Sequence, residues 1–163
     1  ETALGPYYAL FLESNKSSDA AALYVSDVPL SESLEEVRGF SQRYGRVFAV
    51  APHFLNADPI PWQYAMALEA SGKRTLGIQA AELLAAVNWL QAARDVDDLY
   101  LLAKGPRSTT AARIAATLEP TTFQDASYEN ALDDLLQPVR EQWDWSKNQS
   151  LFCFGLARSW ALE

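Results

Sequence analysis

Short apolar runs alternate with amphipathic stretches along this chain, and that order predicts strands alternating with helices. Tyr7–Leu12 and Ala20–Val25 are runs rich in aromatic and branched side chains, separated by the polar stretch Glu13–Asp19 with its Ser-Ser pair. Such runs with such a break read as two strands and a turn. Leu34, Val37 and Phe40 then recur at helical spacing, with Ser31 or Ser33 placed to cap the segment and Glu32, Glu35 and Glu36 near its positive end. A helix is expected to run to about Tyr44 and to stop at Gly45. Val47–Val50 is apolar throughout, the pattern of a strand covered on both faces, and Ala51-Pro52 ends it.

From Asn56 to Pro61 an Asn, an Asp and two prolines argue for a loop, and Trp62–Ala70 predicts a short helix before Ser71-Gly72. Leu76–Ala93 carries the strongest amphipathic stripe of the chain, Ala80, Leu83, Leu84, Val87 and Leu90. Asp95–Asp98 turns the chain into a buried-type strand, Leu99–Ala103, and Gly105-Pro106 leads into a helix from about Pro106 to Leu118. Proline suits a first helical position, because the N–H it lacks has no partner there. Thr121–Gln124 is a candidate further strand and Ala131–Gln142 a further helix broken near Pro138; no internal repeat is present. Strand-helix alternation of this kind favours right-handed βαβ units, so the expected class is α/β, with a mostly parallel sheet and helices on both faces.

A length of 163 residues implies one domain, since a chain of this size hides about two thirds of its unfolded surface in a single core. Apolar residues at 49% and charged residues at 21% are a globular balance. The net charge of −8 repels phosphate backbones, and no segment sets Lys and Arg beside aromatics, so nucleic acid is not an expected partner. No apolar run approaches the roughly 20 residues of a bilayer span, and Glu1–Pro6 is no charged leader, so a soluble chain with no membrane partner is expected. The chain begins without Met, as a processed protein or a piece of a larger one would, and the compartment stays open, secreted or periplasmic locations included. A single cysteine, Cys153 between Phe152 and Phe154, excludes an internal disulfide and a cysteine-rich metal site and reads as a buried small side chain. No metal and no cofactor is expected. The triplets Asn15-Lys16-Ser17 and Asn148-Gln149-Ser150 carry little weight, because glycosylation-type triplets arise often by chance.

In a parallel sheet, function gathers at the C-terminal ends of the strands. The strand Leu99–Ala103 passes directly into a helix through Ala103-Lys104-Gly105-Pro106-Arg107, and that helix carries Ala111, Ala112, Ala115 and Ala116, small enough for close approach to the sheet. With Arg74-Thr75-Leu76-Gly77-Ile78-Gln79 before the long helix, the unit Leu99–Pro120, and Leu151–Leu156 near the end, the chain resembles the α/β-hydrolase superfamily, specifically its acetyl xylan esterase-like branch. The resemblance implies a Gly-X-Ser-X-Gly turn that raises a serine hydroxyl beside oxyanion-binding N–H groups. Aligned through the alanines, that serine falls on Gly105, flanked by Lys104 and Pro106, and the family's glycines fall on Ala103 and Arg107. The resemblance therefore implies a degenerate nucleophile elbow at this turn. The resemblance also implies an acid and a His on loops after later strands, and this chain ends near where those strands would begin, so a truncated core is expected.

Other residues admit a sharper reading beside a plain one. His53 follows Val47–Val50 and Asp125 follows Thr121–Gln124, so both fall in the loops where an improvised set with Ser108 would need them. The plainer account has Ser108 capping or solvating its own helix and His53 partly exposed in a loop. Asp97-Asp98 and Asp133-Asp134 have the composition of acid-base or metal pairs, but neither has a second cluster at ligand spacing, and solvated charges are expected. Lys104 and Arg107 beside the N-terminus of the Pro106 helix make a candidate anion site. Trp143, Trp145 and Trp160 are suited to stack on a sugar, against a default of a buried aromatic satellite core. A sheet lacking its later strands leaves one edge open, to be met by a homodimer or a neighbouring domain. The expected function is a catalytically inactive α/β-hydrolase-like domain with a structural or binding role; the alternatives are a serine esterase or a fragment of one, and a small-anion or carbohydrate binder.

Overall fold

The computed structural model describes residues 8–14, 20–55, 67–94, 96–145 and 148–152. Five strands, β1 (Tyr8–Glu13), β2 (Ala20–Ser26), β3 (Arg46–Ala51), β4 (Asp98–Lys104) and β5 (Asp125–Glu129), form one sheet in the order β1-β3-β2-β4-β5. Every pair is parallel except β1 on β3. The expected mostly parallel α/β sheet is what the chain builds. β1 and β2 follow one another in sequence but do not pair, because β3 lies between them.

Burial explains why these segments are strands. Ala21–Ser26 and Val47–Val50 are buried at every position, as strands covered on both faces must be. On one face α2 (Thr75–Arg94) and α3 (Pro106–Leu118) pack Leu83, Val87, Leu90, Ala111, Ala112 and Ala115 against Leu23, Val25, Leu99 and Leu101. Each leucine buried there contributes about 2 kcal/mol by area removed from water. On the other face α1 (Leu34–Tyr44) lays Val37 and Phe40 on Ala22, Tyr24, Val47 and Ala49. The expected stripe of α2 is the buried one, with Leu84 partly covered. β2, β3 and β4 run in one direction, so their ends bring Asp27, His53 and Gly105 to the same edge of the sheet.

Three expectations need correction. Thr121–Gln124 is a turn, with the Thr122 N–H on the Glu119 carbonyl, and the fifth strand begins at Asp125. Its sequence Asp-Ala-Ser-Tyr-Glu alternates between exposed and half-buried positions, so it carries almost no apolar signal. Ala131–Gln142 yields one helical turn, α4 (Gln137–Arg140). Asn130 and Gln142 sit at φ +54° and +53°, and the Asp134 side chain accepts the Leu136 N–H, a local bond that competes with helix. Trp145 is 39% exposed and Trp143 half-buried, so these two form no buried core. Trp160, Cys153 and the first glycosylation-type triplet lie outside the described residues, as does 62–66 of the short helix expected at Trp62–Ala70; 67–70 is helical. Among the described residues no helix is long and apolar enough to cross a membrane, and no three metal-ligating side chains cluster.

Candidate functional site: a carboxylate seated on the strand-to-helix turn

Gly105 turns β4 into α3 at φ +96°, a backbone that L side chains rarely adopt. Its N–H donates to the Glu129 carbonyl (2.8 Å) and its carbonyl accepts the Thr109 N–H (2.9 Å), which starts the helix. A Cβ at this position would stand 2.6 Å from Cγ, 2.7 Å from Cβ and 2.8 Å from Oδ2 of Asp27. The side chain of Asp27 thus fills the space into which any side chain at position 105 would grow.

Asp27 comes from the end of β2, the neighbouring strand, and its own N–H donates to the Lys104 carbonyl (2.9 Å). Oδ1 accepts the N–H of Ser108 (2.7 Å) and the Ser108 hydroxyl (2.6 Å); Oδ2 accepts the N–H of Arg107 (3.1 Å) and its Nε–H (3.4 Å). A carboxylate at a helix N-terminus satisfies donors that have no partner inside the helix and opposes the positive end of the dipole. Pro106 suits the first turn because it brings no N–H to satisfy. Ser108 is fully buried, and its hydroxyl serves Asp27 rather than capping its own helix.

A second buried carboxylate holds the turn after β3. Glu82, on α2, accepts the His53 N–H on Oε2 (2.9 Å) and meets the ring Nδ1 with Oε1 (2.5 Å), while Gln79 Nε2 donates to the His53 carbonyl (3.0 Å). Both backbone groups of His53 are therefore gripped by one helix. The next residue, Phe54, has φ +71°, a costly conformation for an aromatic residue that the surrounding bonds hold in place. Gln79 Oε1 and Thr75 Oγ1 lie buried on the same helix without hydrogen-bond partners among the described residues.

The residues singled out from sequence are thus distributed among different partners. Ser108 bonds Asp27 and His53 bonds Glu82. Asp125 opens β5 opposite Tyr100, four residues short of the strand end, and its Oδ1 accepts the Ala126 N–H (2.8 Å). Described bonds bring none of the three to another. Lys104 Nζ reaches Glu36 (2.9 Å) and Glu129 (3.3 Å), and the bond to Glu36 chiefly raises its pKa above the usual lysine value. Arg107 turns to Asp27. The N–H groups offered to an anion by the Pro106 helix already hold the protein's own carboxylate. Asp97 and Asp98 are exposed, and Asp134 pairs with Arg140 at the surface. Sequence reading missed Asp27, Glu36, Gln79 and Glu82. For Asp27 the available signal was an acidic residue directly after a fully apolar strand, at the end where helix N-termini gather.

No family model matches the sequence, and no curated protein matches it. Among solved structures the chain is similar to MGS-MChE2, an α/β-hydrolase enzyme from the metagenome of sediments from the lagoon of Mar Chica, Morocco, with 15% identity and a TM-score of 0.49. The match covers 90% of this chain and 59% of that one, so the chain spans less than two thirds of that protein's length.

Proposed function

We propose that this chain is a catalytically silent α/β-hydrolase-like domain with a structural or binding role. The observation that carries the reading is the seat of Asp27 at Gly105. Acyl transfer by a serine needs a hydroxyl at the apex of the turn, a base within hydrogen-bond reach, and N–H donors aimed at the developing oxyanion. Here the apex residue is glycine, the nearby Ser108 hydroxyl donates to a carboxylate, and the N–H groups of Arg107 and Ser108 are bonded to that carboxylate. A negative group in that seat repels an oxyanion instead of stabilising it. His53 is engaged with Glu82.

Hydrolysis of short-chain aryl esters tests the reading. The wild-type chain is expected to give no turnover above buffer. Turnover that disappears in Ser108→Ala would overturn the proposal and identify a nucleophile.

A further inference from the structure

We infer that the free edge of β5 is a docking site for an extended, cationic segment of another polypeptide. The inference takes the binding role of the proposed function as its premise but lies at the outer strand, away from Asp27. Among the described residues β5 ends the sheet order, so one side of it has no neighbouring strand there. The Glu129 carbonyl accepts the N–H of Gly105, the residue that follows β4. By the two-residue period of a strand, Asp125, Ser127 and Glu129 direct their peptide groups at β4 while Ala126 and Tyr128 direct theirs outward. The Ala126 N–H is met by the adjacent Asp125 carboxylate, in keeping with that assignment. An edge of this kind is a template for strand addition.

The side chains define the partner. Asp125, Ser127 and Glu129 are exposed on one face, and together with Tyr24, Phe40 and Tyr44 they line a cavity of about 240 Å³ between α1 and the sheet. Three carboxylates, Glu36, Asp125 and Glu129, face this cavity against two cations, Lys104 and Arg43, in a chain of net charge −8. Lys104 is already shared between Glu36 and Glu129, so Asp125 is the carboxylate with no cation on it among the described ion pairs. A second copy of the chain fits poorly. Antiparallel pairing about Ser127 sets Asp125 directly opposite Glu129 at both ends, and like charges directly opposite destabilise a strand pair. A partner strand with Lys or Arg at positions four apart, about 13 Å along the strand, meets both carboxylates, and its central side chain faces the cavity.

The test uses the whole chain and an N-acetylated, C-amidated, fluorescently labelled Lys-Val-Tyr-Val-Lys peptide followed by anisotropy. Saturable binding is expected, weakened about tenfold by Asp125→Asn combined with Glu129→Gln, and weakened as salt rises from roughly 0.05 to 0.5 M. Both substituted residues are exposed, so unchanged circular dichroism will show that the fold persists. The inference is overturned by any of three results: no saturation up to about 1 mM peptide; equal binding of Glu-Val-Tyr-Val-Glu or of the fully N-methylated Lys peptide; or a β5-paired dimer, seen as concentration-dependent protection of the Ala126 and Tyr128 amides from hydrogen exchange. None of these results bears on ester turnover, so the failure of this inference and that of the silent-domain reading are separable.

Discussion

β4 is bordered by two regions that treat unpaired polar groups in opposite ways. At its C-terminal end, the Arg107 and Ser108 donors at the start of α3 meet the Asp27 carboxylate, and Gly105 leaves that carboxylate room. One strand outward, the outer side of β5 at Ala126 and Tyr128 has no neighbouring strand among the described residues, and Asp125 and Glu129 are exposed. Both a helix start and a sheet edge expose backbone groups that need partners. The comparison teaches that the protein satisfies the first from within, which makes it structure, while the second stays open along β5 among the described residues, save for the Ala126 N–H that Asp125 meets. Gly105→Ser attacks the closed region most directly. It places a side chain at φ +96° and drives its Cβ to 2.6 Å from Asp27 Cγ. Strain and overpacking together are expected to destabilise the fold by about 3 kcal/mol or more. Urea unfolding measures this, and a loss under about 1 kcal/mol would mean that Asp27 yields easily.

Asp27→Ala removes the partner instead of the space. The Ser108 hydroxyl and two helix N–H groups then lose their acceptor in a buried turn, at a cost of about 2–3 kcal/mol. Two further measurements sharpen the point. Sodium formate is expected to recover part of the loss, because a small carboxylate fits the vacated seat, whereas chloride at equal ionic strength is not. Gly105→Ser is also expected to cost less in the Asp27→Ala background than in wild type, since the Cγ and Oδ2 contacts at 2.6 and 2.8 Å are removed while the Cβ contact at 2.7 Å and the positive φ remain. Additive losses would show that the Asp27 carboxylate is not what excludes a side chain at position 105.

Much of this closed region was legible in sequence, and the open one was not. Val47–Val50, the stripe Leu83, Val87 and Leu90, and the alanines of α3 are core residues whose spacing alone reveals their elements, because burial imposes the period. Gly105 stood out as a missing side chain, but its cause lies 78 residues earlier in the chain, at Asp27, and no periodicity links two residues that meet only when β2 and β4 pair. Glu82 is hidden in the same way: within α2 it reads as one polar residue in an amphipathic helix, and its partner His53 follows a different strand. β5 escaped because a short edge strand needs little apolar surface, so Asp-Ala-Ser-Tyr-Glu resembles the loop around it.

Glu82→Gln probes the other internal carboxylate and sets the scale below Asp27. The substituted side chain can still accept the His53 N–H, but it presents an uncharged amide to the imidazole. A loss of about 1–2 kcal/mol is expected, smaller than for Asp27→Ala because one of the two bonds survives. Glu82→Ala, which removes both, should cost more. Equal losses from the two substitutions would place the whole contribution of Glu82 in its bond to the ring.

The smallest effect lies at Lys104, the residue that joins the two regions. Its carbonyl accepts the Asp27 N–H, and its ammonium spans Glu36 and Glu129, the last residue of β5. The lysine side chain is 29% exposed, so solvent screening holds its contribution to below about 1 kcal/mol. The pKa of Lys104 is raised in the fold above 10.5, first by the hydrogen bond to Glu36. A raised value means that the folded chain holds the proton more tightly than the unfolded one. The contribution is therefore fully present below pH 10.5 and lost as pH rises through the folded value. Burial raises Tyr24 and Tyr128 as well, with the same sign, so wild type alone would mix three titrations. The difference in unfolding free energy between wild type and Lys104→Met removes the tyrosines to first order. It should stay level through neutral pH, shrink in strong alkali, and fall when salt is added at neutral pH. A difference that instead grew with pH would mean that the folded chain holds the Lys104 proton less tightly than the unfolded one, the opposite of what its bonds to Glu36 and Glu129 require.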